Sequence, residues 1–215
     1  MLNVSRKNLL LSPNGAKHWA LYISPNESTS SLPEENLLLN SLLCNQFNIL
    51  ILSPFLKKHK KIISDKNKNL VPLKTSHFSP QAEEVYSCYL WLKSYIGYYG
   101  EPISIMSLGK GSRVAIETLY NYPMDIAAFV SVNGDFQKAT SFLPQVKVPS
   151  LLIVKSPKSH ILDLNIHAQI KLKDSKLIFS PHGDDFFKNS FLSLALKAKK
   201  WCEKAALWKE AEKAS

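Results

Sequence analysis

Short runs of apolar residues alternate along this chain with stretches in which apolar positions recur every three or four residues. The short runs are Trp19–Ile23, Phe47–Leu52, Ile103–Met106, Ile126–Val132, Val148–Val154 and Lys176–Phe179. Their length, β-branched content and flanking turn residues predict buried strands. Val4–Leu11 reads as a short edge strand turned by Pro13-Asn14-Gly15. The helical stretches are Pro33–Gln46, Gln81–Tyr95, Ser112–Tyr120, Ile161–Leu172 and Lys188–Lys213. Ser79-Pro80 opens the second, with Val85, Cys88, Tyr89 and Leu92 on one face, and Gly97 and Gly100 end it. In the last, Phe191, Leu192, Ala195, Leu196, Trp201, Ala205 and Trp208 form the apolar series. Strands buried on both faces and separated by helices predict a mostly parallel sheet with helices on each side. Residues 1–215 form one α/β domain on this reading, with a basic loop at about 56–70 and an extra helical tail at about 202–215.

The stretch Ile103-Ser-Ile-Met-Ser-Leu-Gly-Lys-Gly-Ser-Arg-Val-Ala-Ile-Glu117 runs strand, tight turn (107–111), helix. This is the context of a nucleophile elbow, G-x-S-x-G. Here the frame is Ser107-x-Gly109-x-Gly111, with a glycine at the serine position. The stretch resembles the elbow of small dienelactone-hydrolase-like α/β-hydrolases, and the resemblance covers about Trp19 to Trp201. It implies a three-layer α/β-hydrolase fold. Two registers are open: Gly109 in the nucleophile's place, which fits Val114-Ala115-Ile116-Glu117 and Pro123, or Ser107 as the nucleophile.

That family also implies an acid after the penultimate strand and a histidine after the last. Counting from Pro149 puts Lys158 at the acid position, and counting back from Leu162 puts Ser159 there. The histidine position in Pro181-His-Gly-Asp-Asp-Phe-Phe187 is Asp185, with His182 three residues early. A carboxylate with an ordinary pKa near 4 is a poor base for a serine hydroxyl. Gly109, Ser159 and Asp185 therefore read as a degenerate triad. The fallback catalytic set is Ser107, His182 and Asp163. The loop after Ile23 lacks the glycine expected of an oxyanion loop. Ser24, Asn26, Lys110, Lys158 and Asp184 are the expected walls of a binding pocket.

Composition changes this picture little. The apolar fraction of 45% and charged fraction of 20% are ordinary for a globular protein. No run approaches a membrane span. Cys44, Cys88 and Cys202 have no metal or disulfide spacing, which suits a reducing cytoplasm. The lack of acidic residues before Glu27 leaves a short targeting segment open. The net charge of +10 suits an acidic protein, anionic lipid or nucleic acid, with Lys57, Lys58, Lys60 and Lys61 as a candidate patch. Solvated surface lysines are the preferred reading, because no aromatic-basic recognition motif accompanies the charge. Gly109-Lys110 lacks the remaining residues of a phosphate loop. His160 and His167 could share a helix face, but a solvated or capping role outweighs a metal site, and no cofactor is expected.

The expected function is binding or scaffolding on a degenerate hydrolase fold. An esterase or thioesterase and a basic module for nucleic acid or anionic membrane are the alternatives.

Overall fold

The computed structural model describes residues 9–13, 15–25, 32–55, 79–97, 101–155, 160–179 and 187–214. The strands are β1 (Leu9–Leu11), β2 (His18–Ile23), β3 (Phe47–Leu52), β4 (Ile103–Leu108), β5 (Phe129–Val132), β6 (Ser150–Val154) and β7 (Ser175–Phe179). The helices are α1 (Pro33–Cys44), α2 (Pro80–Ile96), α3 (Gly111–Asn121), α4 (His160–Lys171) and α5 (Phe187–Ala214). The sheet order is β1-β3-β2-β4-β5-β6-β7. Among the described residues only β1 runs antiparallel, paired with β3. The other neighbours are parallel.

Strand alternation divides the core into two layers. Trp19, Leu21, Ile23, Ile103 and Ile105 face α2, α3 and α4. Ala20, Tyr22, Met106 and Leu108 face α1 and α5. Each fully buried Leu, Ile or Phe contributes about 2 kcal/mol of transfer free energy.

Several boundaries differ by a residue or two from the sequence expectation, and two of them shape the site. Strand β4 runs to Leu108, so Ser107 and Leu108 belong to the strand and not to the turn. Backbone pairing explains this, because Ser107 and Leu108 continue the ladder with Ser131 and Val132 of β5. Strand β5 begins at Phe129, not Ile126. Two short 3₁₀ turns, Gln137–Ala139 and Leu143–Gln145, fill the path to β6.

The buried stripe of α5 also differs. It consists of Phe191, Leu194, Ala195, Ala198, Cys202 and Ala205, while Leu192 and Leu196 are 48% and 44% exposed. Four of those six side chains are small, which lets the helix lie close to the sheet. The tail beyond Trp201 is part of this packing. Lys209 Nζ pairs with Asp125 and donates to the carbonyl of Ile126 at 2.8 Å. Trp208 meets the edge of Trp201 at 6.1 Å and remains 40% exposed.

Ser79 caps α2 by accepting the N–H of Ala82 at 3.2 Å. Its own hydroxyl donates to Glu117 of α3 at 2.7 Å, which ties the two helices together.

A buried polar cluster lies between the sheet and α5. His18 Nε2 is 3.0 Å from the hydroxyl of Ser104, and the ring meets the edge of Phe47 at 5.3 Å. Burial first, and the Lys199 ammonium second, lower the pKa of His18 from 6.5 to about 4. In the unfolded chain the ring protonates near 6.5, so between these values the unfolded state binds more protons. Stability contributed by the neutral ring is therefore complete above pH 6.5 and lost as pH falls toward 4, by roughly 3 kcal/mol at most. Denaturant unfolding from about pH 7 to about pH 4.5 should show a loss of stability that His18→Gln reduces. An identical pH dependence in the variant would assign the effect to other groups.

Candidate active site

The turn between β4 and α3 is occupied by Gly109 and Lys110. Gly109 has φ +52°, the left-handed region that side chains other than glycine adopt only under strain. Its N–H donates to Val132 at 3.0 Å, and its carbonyl accepts from Ser112 at 3.1 Å and Asp135 at 3.0 Å. The turn is thus fixed by backbone bonds to both its own helix and the loop after β5.

Gly111 is required for a different reason. A β-carbon there would lie 2.5 Å from the carbonyl oxygen of Ile23. The first residue of α3 therefore presses directly on the end of β2. At Gly109 the situation is opposite: an added β-carbon would meet only Pro25, at 3.8 Å. The position has room for a small side chain and carries none.

Ser107 does not reach the turn. It is 1% exposed within β4, and its hydroxyl lies 2.9 Å from that of Ser112. Ser112 in turn lies 2.8 Å from Ser131. This chain of three buried hydroxyls joins β4, α3 and β5 directly beneath Gly109. Ser107 is thus buried in the strand and engaged in a structural contact.

Ser24 and Pro25, the described residues of the loop after β2, offer no N–H to a developing oxyanion. The N–H of Ser24 donates to Leu52 at 2.8 Å, and Pro25, the residue nearest Gly109, has no N–H. Asn26 lies outside the described residues.

At the end of β6, the Lys155 N–H donates to Asn133 Oδ1 at 2.9 Å. Its ammonium lies 3.1 Å from Glu34 and 4.5 Å from the centre of the Phe191 ring. Lys158 and Ser159, at the expected acid position, lie outside the described residues, as do His182, Asp184, Asp185 and the lysines at 57–61. Asp163 is exposed in the first turn of α4. Lys110 stands at the N-cap of α3 beside Gly109. His160 and His167 are both exposed on α4, and the described residues contain no cluster that could hold a metal ion.

Sequence reasoning missed one carboxylate. Asp135, after β5, comes to the elbow through its backbone bond to Gly109, and its Oδ1 accepts from Gln137 at 3.2 Å. Only the parallel pairing of β4 and β5 reveals this proximity. The thiols of Cys88 and Cys202 are pushed up to about 12, chiefly by burial, so neither supplies an alternative nucleophile.

No family model matches the sequence, and no curated protein matches it. Solved structures do resemble it. A dienelactone hydrolase from Anabaena variabilis superposes with a TM-score of 0.69 at 22% identity, covering 89% of this chain and 88% of that one. The esterase domain of a Rhodothermus marinus protein gives 0.63 at 9% identity, covering 91% of each chain. Est1E from Butyrivibrio proteoclasticus gives 0.59 at 10%, covering 96% of this chain and 93% of that one. The protein has the three-layer α/β-hydrolase fold, in a form like that of dienelactone hydrolase. Gly109 lies at a strand-to-helix turn of this fold, and the solved structures that resemble it include esterases.

Substitutions at the two glycines should separate their roles. Gly109→Ser should fold normally and lose only about 1 kcal/mol, from its positive φ. Gly111→Ala should lose about 2 kcal/mol or more, because a backbone oxygen must move. Equal losses in denaturant unfolding would contradict the close approach at Gly111.

Proposed function

We propose that the protein is a catalytically degenerate member of this fold class that acts by binding rather than by hydrolysis. The observation that carries this reading is Gly109, a residue without a side chain where a nucleophile would stand on the turn. The engaged hydroxyl of Ser107 and the missing N–H of Pro25 support it. Nucleophilic acyl transfer needs an activated hydroxyl or thiol and a donor pair for the oxyanion. The turn residues Gly109 and Lys110 carry no hydroxyl or thiol, and Pro25 offers no N–H.

Binding would use the carboxyl ends of the strands, where sheets of this kind present their loops. Ser24, Asn26, Lys110, Lys158 and Asp184 are the residues proposed to line that surface. In the same reading, the substituted triad positions are Gly109, Ser159 and Asp185, and the ligand is held without covalent attack. The net charge of +10 supports an acidic partner. The free thiols of Cys44, Cys88 and Cys202 support a reducing, cytoplasmic setting.

The esterase alternative draws support from the structural neighbours. It requires Ser107 to leave Ser112 and meet His182. The purified protein should neither hydrolyse short acyl esters nor react with a serine-directed fluorophosphonate. Labelling that Ser107→Ala abolishes would establish the esterase instead.

A further inference from the structure

Helices between parallel strands run back from the carboxyl end of one strand to the amino end of the next. The final turns of α1–α4 therefore gather at the end of the sheet opposite Gly109. Helix α5 reaches the same end. Its Trp201 indole donates to Pro149, just before β6, and Lys209 bonds Ile126, ahead of β5.

Large apolar side chains stay exposed in the last two turns of these helices. They are Trp91 (50%) and Tyr95 (57%) on α2, Tyr120 (39%) on α3, Ile170 (77%) on α4, and Leu207 (64%) and Trp208 (40%) on α5. The α2 pair is rigid. Trp91 and Tyr95 stack at 5.2 Å and 16°, and Tyr95 meets the edge of Trp19 at 6.0 Å. A groove of about 130 Å³ separates the ends of α2 and α5, so their aromatic residues stand as two wedges.

Exposed lysines stand at the same end of the sheet. Lys93 and Lys204 are exposed on α2 and α5, and Lys17, Lys147 and Lys173 are exposed just ahead of β2, β6 and β7. Two nearby carboxylates are engaged, Asp125 with Lys209 and Glu101 with the Trp19 indole N–H. Glu210 and Asp174 remain as exposed acids.

We propose that this end of the molecule docks on an anionic lipid bilayer. Trp and Tyr favour the headgroup region, where an apolar ring and a polar edge are both accommodated. Lysine stems cover apolar surface while their ammonium groups reach lipid phosphates. Aliphatic Leu207 and Ile170 gain from acyl chains and offer nothing to nucleic-acid bases. A base-stacking platform also needs open ring faces. Here Trp91 and Tyr95 cover one another, and Lys204 lies 4.6 Å above the Trp208 ring. Attachment is peripheral, since no helix among the described residues is long and apolar enough to cross a membrane.

Co-sedimentation with vesicles tests the proposal, using phosphatidylcholine alone or with about a third phosphatidylglycerol. The full chain should bind only the anionic vesicles, with a blue shift in tryptophan emission and release by salt. Trp91→Ser with Tyr95→Ser should weaken binding about tenfold, and Lys93→Gln or Lys204→Gln about fivefold each. Replacing Lys57, Lys58, Lys60 and Lys61 by glutamine should preserve the blue shift. Leu207→Glu, on the other wedge, carries the same test should the α2 variant fail to fold. Absence of binding to anionic vesicles, or binding unaffected by a folded wedge variant, overturns the proposal. Binding that depends only on Lys57–Lys61 overturns it too. Retention on single-stranded DNA that the wedge variants abolish would assign the face to nucleic acid.

Discussion

The close approach of α3 to the end of β2 governs the geometry of the elbow. Gly111 presses its α-carbon on the carbonyl of Ile23, and any β-carbon there would sit 2.5 Å from that oxygen. The chain must therefore reverse within Gly109 and Lys110, and the positive φ of Gly109 makes so tight a reversal possible. The Gly109 N–H bond to Val132 then locks the turn to β5, and bonds from Ser112 and Asp135 to the Gly109 carbonyl tie it to α3 and to the loop after β5. None of these contacts needs a side chain at position 109. The geometry of the turn is thus independent of any side chain at position 109.

The hydroxyl chain Ser107–Ser112–Ser131 reinforces the same point. Three polar groups buried under the turn are stable because each has a partner. Freeing Ser107 for chemistry would remove a buried contact from Ser112, a penalty of about 1–3 kcal/mol. On the opposite face, His18 and Ser104 form a comparable buried pair against α5. Both clusters stabilise by mutual satisfaction, and His18–Ser104 resembles a catalytic pair by residue type alone. Position separates them: one lies inside the strand below the turn, the other at the far end of the sheet.

The two ends of the sheet consequently have different characters. The carboxyl end carries the elbow of an α/β-hydrolase fold without a side chain at its centre. The amino end collects helix termini with stacked aromatic rings and lysines. A binding role at one end and a docking surface at the other are compatible, because the core between them is closed. The last turns of α5 are fastened there by Cys202, Ala205 and Lys209.

The sequence by itself determined the alternation of strands and helices, because buried strands and amphipathic helices have different hydrophobic periods. It also placed a glycine in the motif frame, since spacing to Gly111 and the helix start is local information. Local periodicity could not determine where β4 ends, because Ser107 and Leu108 are held in the strand by pairing with Ser131 and Val132. Nor could it choose the face of α5, where small Ala198 and Cys202 are buried while Leu192 and Leu196 are exposed. Asp135 reaches the elbow, and Trp91 and Trp208 come to the same end, only through strand order and helix direction. Those are long-range properties: they depend on which distant backbones pair, and no window of sequence contains both partners.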